Sequence, residues 1–440
     1  MLRVFIFEPL ESFDVNVESD VDLLRVRRVG FRVKSNKYRP DAAPAPTVKP
    51  VTDSRPGTEG VRQRNLARLL RLVHVEGPLS RAALTEATGL NRSTIADLVS
   101  ELARAGLVDE RAPDPSRRVG RPSPVVAVSA GVLVIAAHPE VDALTIAAVG
   151  LDRSIAQRER IDLDHLLTPD EVAVMVAERV EAWRTGPLAG SRVVAVGIAV
   201  PGLVRAADGL VRNAPHLHWI DAPIRDLVAA ATGLPTVVGN DASLGALAEH
   251  LYGAARGIDD VVYLNGGASG IGGGLIVHGM PVAGAGGYAG EFGQNRPGIA
   301  AASDRRAQDG VLEDEVSRAH LLRAVGLASA DEPTLAAALA ASTDPAVQAE
   351  LARQRGILAT ALANAVNVLN PSVVVLGGFL ATIAEHDLDA LGDAVSAQTM
   401  SANAEALDIR VASLAEDRLL IGAAEAAFER LLADPAGTMA

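Results

Sequence analysis

Residues 192–202 read Arg-Val-Val-Ala-Val-Gly-Ile-Ala-Val-Pro-Gly, a strand-sized apolar run that closes on a Pro-Gly turn. Working outward, similar short apolar runs occupy residues 236–239, 261–264 and 373–376, and from Val132 onward they alternate with helical stretches. That alternation predicts an α/β class. Glycine clusters punctuate the pattern at residues 266–274, 284–290 and Gly377-Gly378. Glycine turns at strand ends let backbone amides approach phosphate or sugar oxygens, although each cluster taken singly is ordinary turn chemistry.

The chain has 440 residues and no cysteine, which excludes a disulfide-stapled protein and leaves zinc only His and carboxylate ligands. A hydrophobic content of 49% suffices for packed cores, and the length suits two or three domains. The first ten residues carry Arg3 and Glu8 and read as no signal peptide, and no apolar run reaches membrane length, so a cytoplasmic protein is expected. The formal net charge of −13 argues against nucleic acid until it is divided along the chain. Residues 57–130 hold eleven basic and eight acidic side chains, whereas residues 131–440 hold twenty and thirty-eight. Residues 1–56 carry the only lysines, Lys34, Lys37 and Lys49. They read either as a disordered extension with a Pro/Ala linker, or as sequence ahead of a start near Val48 or Val51.

The basic segment has its own pattern. Leu66, Leu69, Leu70 and Val73 lie at helical spacing and Gly77-Pro78 ends that helix. Ser80 caps a second helix over residues 81–87, residues 88–90 turn, and Asn91 caps a third whose buried stripe is Ile95, Leu98, Val99 and Leu102. Two short helices joined by a glycine-containing turn make a helix-turn-helix, with Arg92, Ser93 and Thr94 at the start of the recognition helix. Strands beginning near Val108 and over residues 125–128 flank a basic loop, residues 111–122, which gives a wing. Its Arg118 and Arg121, within Arg-Arg-Val-Gly-Arg-Pro, suit a narrow minor groove.

In the acidic part, several motifs follow in fixed order. They are Gly197 to Gly202; Asn213-Ala214-Pro215 with Trp219; Gly239-Asn240-Asp241-Ala242; Ala268 to Gly274; Gly290-Glu291-Phe292-Gly293; and Asn370-Pro371 with Val374 to Gly378. This series, spanning about residues 62–435 with the winged helix, resembles the ROK family of sugar kinases and sugar-responsive repressors, and its repressor branch in particular. The resemblance implies a winged helix-turn-helix (57–130) followed by a two-lobed, actin-like ATPase (ribonuclease H-like) sugar-kinase fold (131–440). It implies sugar contacts from Asn240, Asp241, Glu291, Gln294 and Glu313, with Asp241 matching the kinases' general base.

Three departures qualify it. The family kinases carry a phosphate-binding Asp-x-Gly-x-Thr, and residues 136–145 offer no register with both the Gly and the Thr, so ATP binding is not expected. The family's zinc ligands fall on Gln294, Asp304, Arg306 and Val311, so no zinc is expected, and the loop 295–310 is left either mobile or held by other contacts. His216-x-His218 has a ligand spacing but lacks a carboxylate-rich neighbourhood, and no metal is assigned there. The expectation is a DNA-binding regulator with no catalytic residue, no cofactor and no membrane contact. Its partners are operator DNA, a sugar or sugar phosphate, and its own copies in a homodimer or homotetramer. A sugar kinase with a DNA-binding appendage, and a ligand-independent DNA-binding protein with a decayed cleft, stay open.

Overall fold

Leu66, Leu69, Leu70 and Val73 fall on one face of α1 (Thr58–Glu76), and all four are buried. The computed structural model describes residues 58–111, 123–299, 301–307 and 310–437; the expected N-terminal extension and most of the expected wing, with Arg118 and Arg121, lie outside them. After α1 comes a two-residue strand, β1 (Leu79–Ser80), which the sequence reading did not separate from the turn. Ser80 Oγ accepts from Ala83 N at 3.1 Å to start α2 (Arg81–Thr88), and Gly89 ends it in the left-handed region at φ 71°. Asn91 Oδ1 then accepts from Thr94 N at 2.8 Å and starts α3 (Arg92–Arg104), whose Ile95, Leu98, Val99 and Leu102 are buried. β2 (Val108–Arg111) and β3 (Val125–Val128) pair antiparallel, and β1 joins the other edge of β3.

The acidic part is built twice on one plan. β4 (Val132–Pro139), β5 (Ala143–Gly150) and β6 (Ile155–Asp162) form an antiparallel meander. Central β4 and β5 are buried throughout, while edge strand β6 alternates half-buried and exposed positions. α4 (Pro169–Thr185) crosses to β7 (Arg192–Val200), parallel to β4. A small sheet, β8 (Leu203–Val204), β9 (Val211–Ala214) and β10 (Trp219–Ala222), then leads through α5 (Ile224–Thr232) to β11 (Thr236–Asn240), parallel to β7. The order is β11-β7-β4-β5-β6. α6 (Asp241–Tyr252) carries the chain into the second lobe.

There β12 (Val261–Gly267), β13 (Gly270–Val277) and β14 (Met280–Pro281) repeat the meander. Four helices follow, α7 (Leu312–Glu315), α8 (Arg318–Ala324), α9 (Glu332–Ala341) and α10 (Pro345–Leu369). β15 (Val373–Gly378) pairs parallel to β12, and after α11 (Phe379–His386), α12 (Leu388–Ser396) and α13 (Ser401–Ala404), β16 (Asp408–Val411) extends it. This sheet runs β14-β13-β12-β15-β16, the same topology as the first. α14 (Arg418–Ala433) returns to pack on β7, β4 and α6.

One apolar core runs from Leu66 in α1 through β4 and β5 to Leu432 in α14, so the three-helix unit and the first lobe share buried surface. The stripe of α10 is core through Val366, but Val368 is 81% exposed: the last turn carries it past the packed face. Among the described residues no helix is long and apolar enough to cross a membrane.

Candidate ligand cleft

β7 and β11 of the first sheet and β12 of the second end at one cleft, the usual binding position in open α/β sheets. β7 stops at Pro201-Gly202, and β11 stops at Asn240, which is the N-cap of α6. Asn240 Oδ1 accepts from Ser243 N at 2.9 Å, while its amide nitrogen donates to Gly202 O at 3.1 Å and to Asp241 Oδ1 at 3.3 Å. Asp241 Oδ1 also accepts from Ala242 N at 2.8 Å. Both amide hydrogens of Asn240 are therefore engaged, and the turn fixes the carboxylate of Asp241 while leaving Oδ2 toward the cleft. The cap and the sugar-contact reading share one turn.

Opposite, Glu313 at the start of α7 accepts from Ile271 N at 3.1 Å and from Gln294 Nε2 at 2.6 Å. Gly270 permits this approach: its φ is 111°, and a Cβ there would collide with Glu313 Oε2. Glu291 stands beside them. Burial, reinforced by the charges of Asp241 and Glu313, pushes its carboxyl above the ordinary range. These five expected residues, Asn240, Asp241, Glu291, Gln294 and Glu313, line one cavity of about 290 Å³ together with Asn213, His216, Ser269 and Glu140. Carboxylates, amides and free backbone groups in a walled cavity are the donor and acceptor set that ring hydroxyls require.

His138 and Glu140 are residues to which the sequence reading assigned no role in the cleft. His138 ends β4, 6% exposed, with Nε2 3.8 Å from Asp241 Oδ2 and Nδ1 3.8 Å from Glu140 Oε2. Burial pulls its pKa down, but Glu140 and Asp241 more than offset this and leave it above the ordinary histidine value. Beyond it lies a second cavity of about 310 Å³, lined by Glu140, Asp142, Arg160, Asp331, Glu332 and Arg418, among others. Arg418 is 3% exposed and bonds Asn265 Oδ1 at 2.9 Å, Glu332 at 2.8 Å and Ala415 O at 2.6 Å. The residues between β4 and β5 thus bring Glu140 and Asp142 where a phosphate loop would need amides and no negative charge. The residues of that connection do not form the family's glycine phosphate turn, although four arginines, Arg158, Arg160, Arg318 and Arg418, share the second cavity's wall.

Nor do they fit zinc. At the four expected positions Gln294 donates to Glu313, Asp304 accepts from Ser303 Oγ at 3.2 Å, Arg306 pairs with Glu350 at 3.1 Å, and Val311 offers no donor atom. The loop is held instead by Glu315, 1% exposed, which accepts from Arg306 N at 2.9 Å, Ala307 N at 3.0 Å and Arg353 Nη1 at 3.1 Å. Arg353 also reaches Asp304 O at 2.9 Å and Glu350 at 2.7 Å. Of the two alternatives for residues 295–310, the described ones follow the second, contacts other than a metal. His218 sits in a left-handed turn and His216 in the cavity wall; among the described residues no three His, Asp or Glu side chains group as metal ligands.

At the far end of α6, Tyr252 OH donates to Glu425 Oε2 of α14 at 2.8 Å and lies 3.0 Å from His74 Nε2 of α1. Arg256–Glu76 and Arg71–Glu429, each at 2.7 Å, flank this contact. In the three-helix unit Arg92 and Ser93 are exposed and Thr94 half-buried at the start of α3; Ser93 Oγ donates to Asn91 Oδ1 at 2.7 Å.

The chain is 25% identical to the xylose repressor of Caldicellulosiruptor bescii over 395 residues, 85% of this chain and 98% of that one. It is 29% identical to the glucokinase of Thermotoga maritima over 256 residues, 54% of this chain and 80% of the kinase. A crystal structure of a ROK family transcriptional regulator, a homologue of the E. coli Mlc protein, shares the fold with a TM-score of 0.67 at 24% identity, covering 85% of this chain and 97% of that one. Residues 141–430 match the ROK family, and the chain belongs to it.

Proposed function

We propose that this protein is a transcriptional repressor that reads operator DNA with a winged helix-turn-helix, residues 57–130, and responds to a sugar bound in the cleft of residues 131–440. The observation that carries the reading is α6. Its first turn holds Asn240 and Asp241 in the cavity, and its last residue, Tyr252, touches α1 of the helix-turn-helix. A ligand that shifts α6 has a short mechanical route to the DNA-reading unit. The whole-length likeness to a xylose repressor supports the same reading. Arg92, Ser93 and Thr94 then face the major groove, and Arg118 and Arg121 supply the minor-groove arm. No cofactor enters this mechanism, and a homodimer would match palindromic half-sites.

Since coupling between two sites is reciprocal, sugar should weaken operator binding by the factor by which operator weakens sugar binding. The test is fluorescence anisotropy on operator fragments from the gene's own promoter, with and without a sugar panel. An anisotropy rise on operator that one sugar relieves is expected, with Arg92→Ala relaxing sequence preference. Operator binding indifferent to every sugar would favour the decayed-cleft alternative. The kinase alternative draws on Asp241 and on the glucokinase relatives; ATP-dependent phosphorylation of any panel member would favour it.

A further inference from the structure

The sugar cavity carries four carboxylates in its wall, Glu140, Asp241, Glu291 and Glu313, and neither lysine nor arginine. Three of them occupy positions that the family resemblance assigns to sugar. Glu140 is different: it comes from the tight connection between β4 and β5, held by its own N–H donating to Ala143 O at 2.8 Å. It lines both cavities and so stands at the partition between them. Its carboxylate makes only long ion pairs, 3.8 Å to His138 Nδ1 and 3.8 Å to Arg160 Nη1. Arg160 brings little positive charge to the sugar side, because it lies outside that wall and is shared with Asp142 at 3.6 Å and Asp162 at 3.0 Å. Glu291 has no cation in ion-pair distance among the described residues. Two buried polar atoms lack a hydrogen-bond partner, Ser269 Oγ in the wall of the sugar cavity and His138 Nε2 in the wall of the second, 3.8 Å from Asp241 Oδ2.

We propose that Glu140 is a specificity-determining residue that makes the cleft a charge filter, admitting a polyol whose inner end is a hydroxyl or an ammonium group and rejecting the same polyol phosphorylated there. The inference rests on the sugar-cleft reading above. A phosphate ester at the partition would meet Glu140 and Asp241 across a partly buried gap, and the arginines of the second cavity are already engaged, Arg158 with Asp417, Arg160 with Asp162, Arg318 with Ala330 O and Arg418 with Glu332. A hydroxyl there can partner His138 Nε2 or Ser269 Oγ, and an ammonium adds attraction to a wall whose carboxylates otherwise only repel one another.

The test is calorimetric titration of the full chain with matched series: glucose, its 6-phosphate and its 6-amino-6-deoxy form, and the same series for mannose, galactose and N-acetylglucosamine. In the one series that binds, the 6-phosphate is expected at least about tenfold weaker than the parent sugar, and the amino form no weaker than the parent. Glu140→Gln should narrow the parent-to-phosphate ratio by about tenfold. Should that variant fold poorly, the wild type still decides, because added salt should relax the discrimination by screening. A 6-phosphate that binds as tightly as its parent overturns the filter and leaves the sugar-cleft reading standing. A ratio unchanged in folded Glu140→Gln overturns the role of Glu140. Absence of binding across all series, and of any sugar in the wider panel including xylose, overturns both.

Discussion

His74 on α1 and Glu425 on α14 meet at 2.7 Å, Nε2 to Oε2, with side chains 1% and 6% exposed. The other ring nitrogen lies 2.6 Å from Leu151 O, and a carbonyl only accepts, so Nδ1 carries a proton. Burial alone would raise the Glu425 carboxyl, but the bonds from His74 and Tyr252 hold it below the ordinary range. Removing one partner of a buried pair strands the other, at a typical cost of about 3–5 kcal/mol. Glu425→Leu should therefore lower the urea unfolding free energy by about 3 kcal/mol. The pH dependence has a definite sign. A depressed carboxyl contributes stability above its unfolded pKa, near 4.5, and loses it as pH falls through the lower folded value. Glu425→Gln should lack that acid-side loss in thermal melts taken between neutral and acid pH.

Tyr252→Phe separates coupling from stability. The ring remains to pack against His74, edge-on at 6.1 Å, and under Arg153, 4.4 Å from its centroid, while the hydroxyl that joins α6 to Glu425 is lost. Operator affinity without sugar and sugar affinity without operator should each stay within about threefold of wild type. The ligand-induced change in operator affinity should shrink, since couplings of this kind are typically only about 1–3 kcal/mol. Anisotropy titrations in the four liganded states measure it. A Tyr252→Phe variant with full sugar response would remove α6 as the route.

What the residues revealed ahead of the structure follows from the range of the interactions involved. Caps at Ser80, Asn91 and Asn240 and the strand at residues 192–200 are local, so their residue types declare them. The ordered motifs brought Asn240, Asp241, Glu291, Gln294 and Glu313 to one cavity because their spacing carries the family pattern. The His74–Glu425 contact joins residues 351 positions apart, and no local pattern marks it. Glu140 was hidden for another reason: it was legible only as a missing glycine, whereas the structure gives the replacement a carboxylate at the partition. Val368, 81% exposed in the last turn of α10, shows that helical periodicity cannot tell where a long helix outruns its partner.

Arg353 takes over the work that four zinc ligands do in the family resemblance. It holds Glu315, Glu350 and Asp304 O, and Glu350 is pulled down to about 2, where burial alone would raise it and the bond from Arg353 prevails. Arg353→Met should leave Glu315 buried without its cation, cost about 3 kcal/mol in chemical unfolding, and speed proteolysis between residues 295 and 310. Added zinc should rescue neither property. Because Glu350 is depressed, its share of stability is present above the unfolded value of 4.5 and fades as pH falls toward 2, so acid should loosen this loop in the wild type and do less in the variant.

Asp241 decides between sensing and catalysis. Its Oδ1 is spent on Ala242 N and Asn240, while Oδ2 faces the cleft beside His138 at 3.8 Å. In a kinase that oxygen would take the proton of the attacking hydroxyl, with a phosphate held in line by backbone amides. Here the segment that should supply those amides carries Glu140 and Asp142, and Arg418 occupies the second cavity's wall paired to Glu332. A carboxylate facing the cleft is a strong hydroxyl acceptor with or without a phosphate beside it, and hydrogen bonds to charged groups are worth about 1.5–3 kcal/mol. Asp241→Asn keeps the cap geometry and loses the charge. It should weaken sugar binding roughly tenfold to a hundredfold and shift derepression to correspondingly higher sugar. Neither protein should consume ATP in a coupled assay with the same sugar. ATP turnover by the wild type that Asp241→Asn abolishes would reassign the cleft from sensor to enzyme.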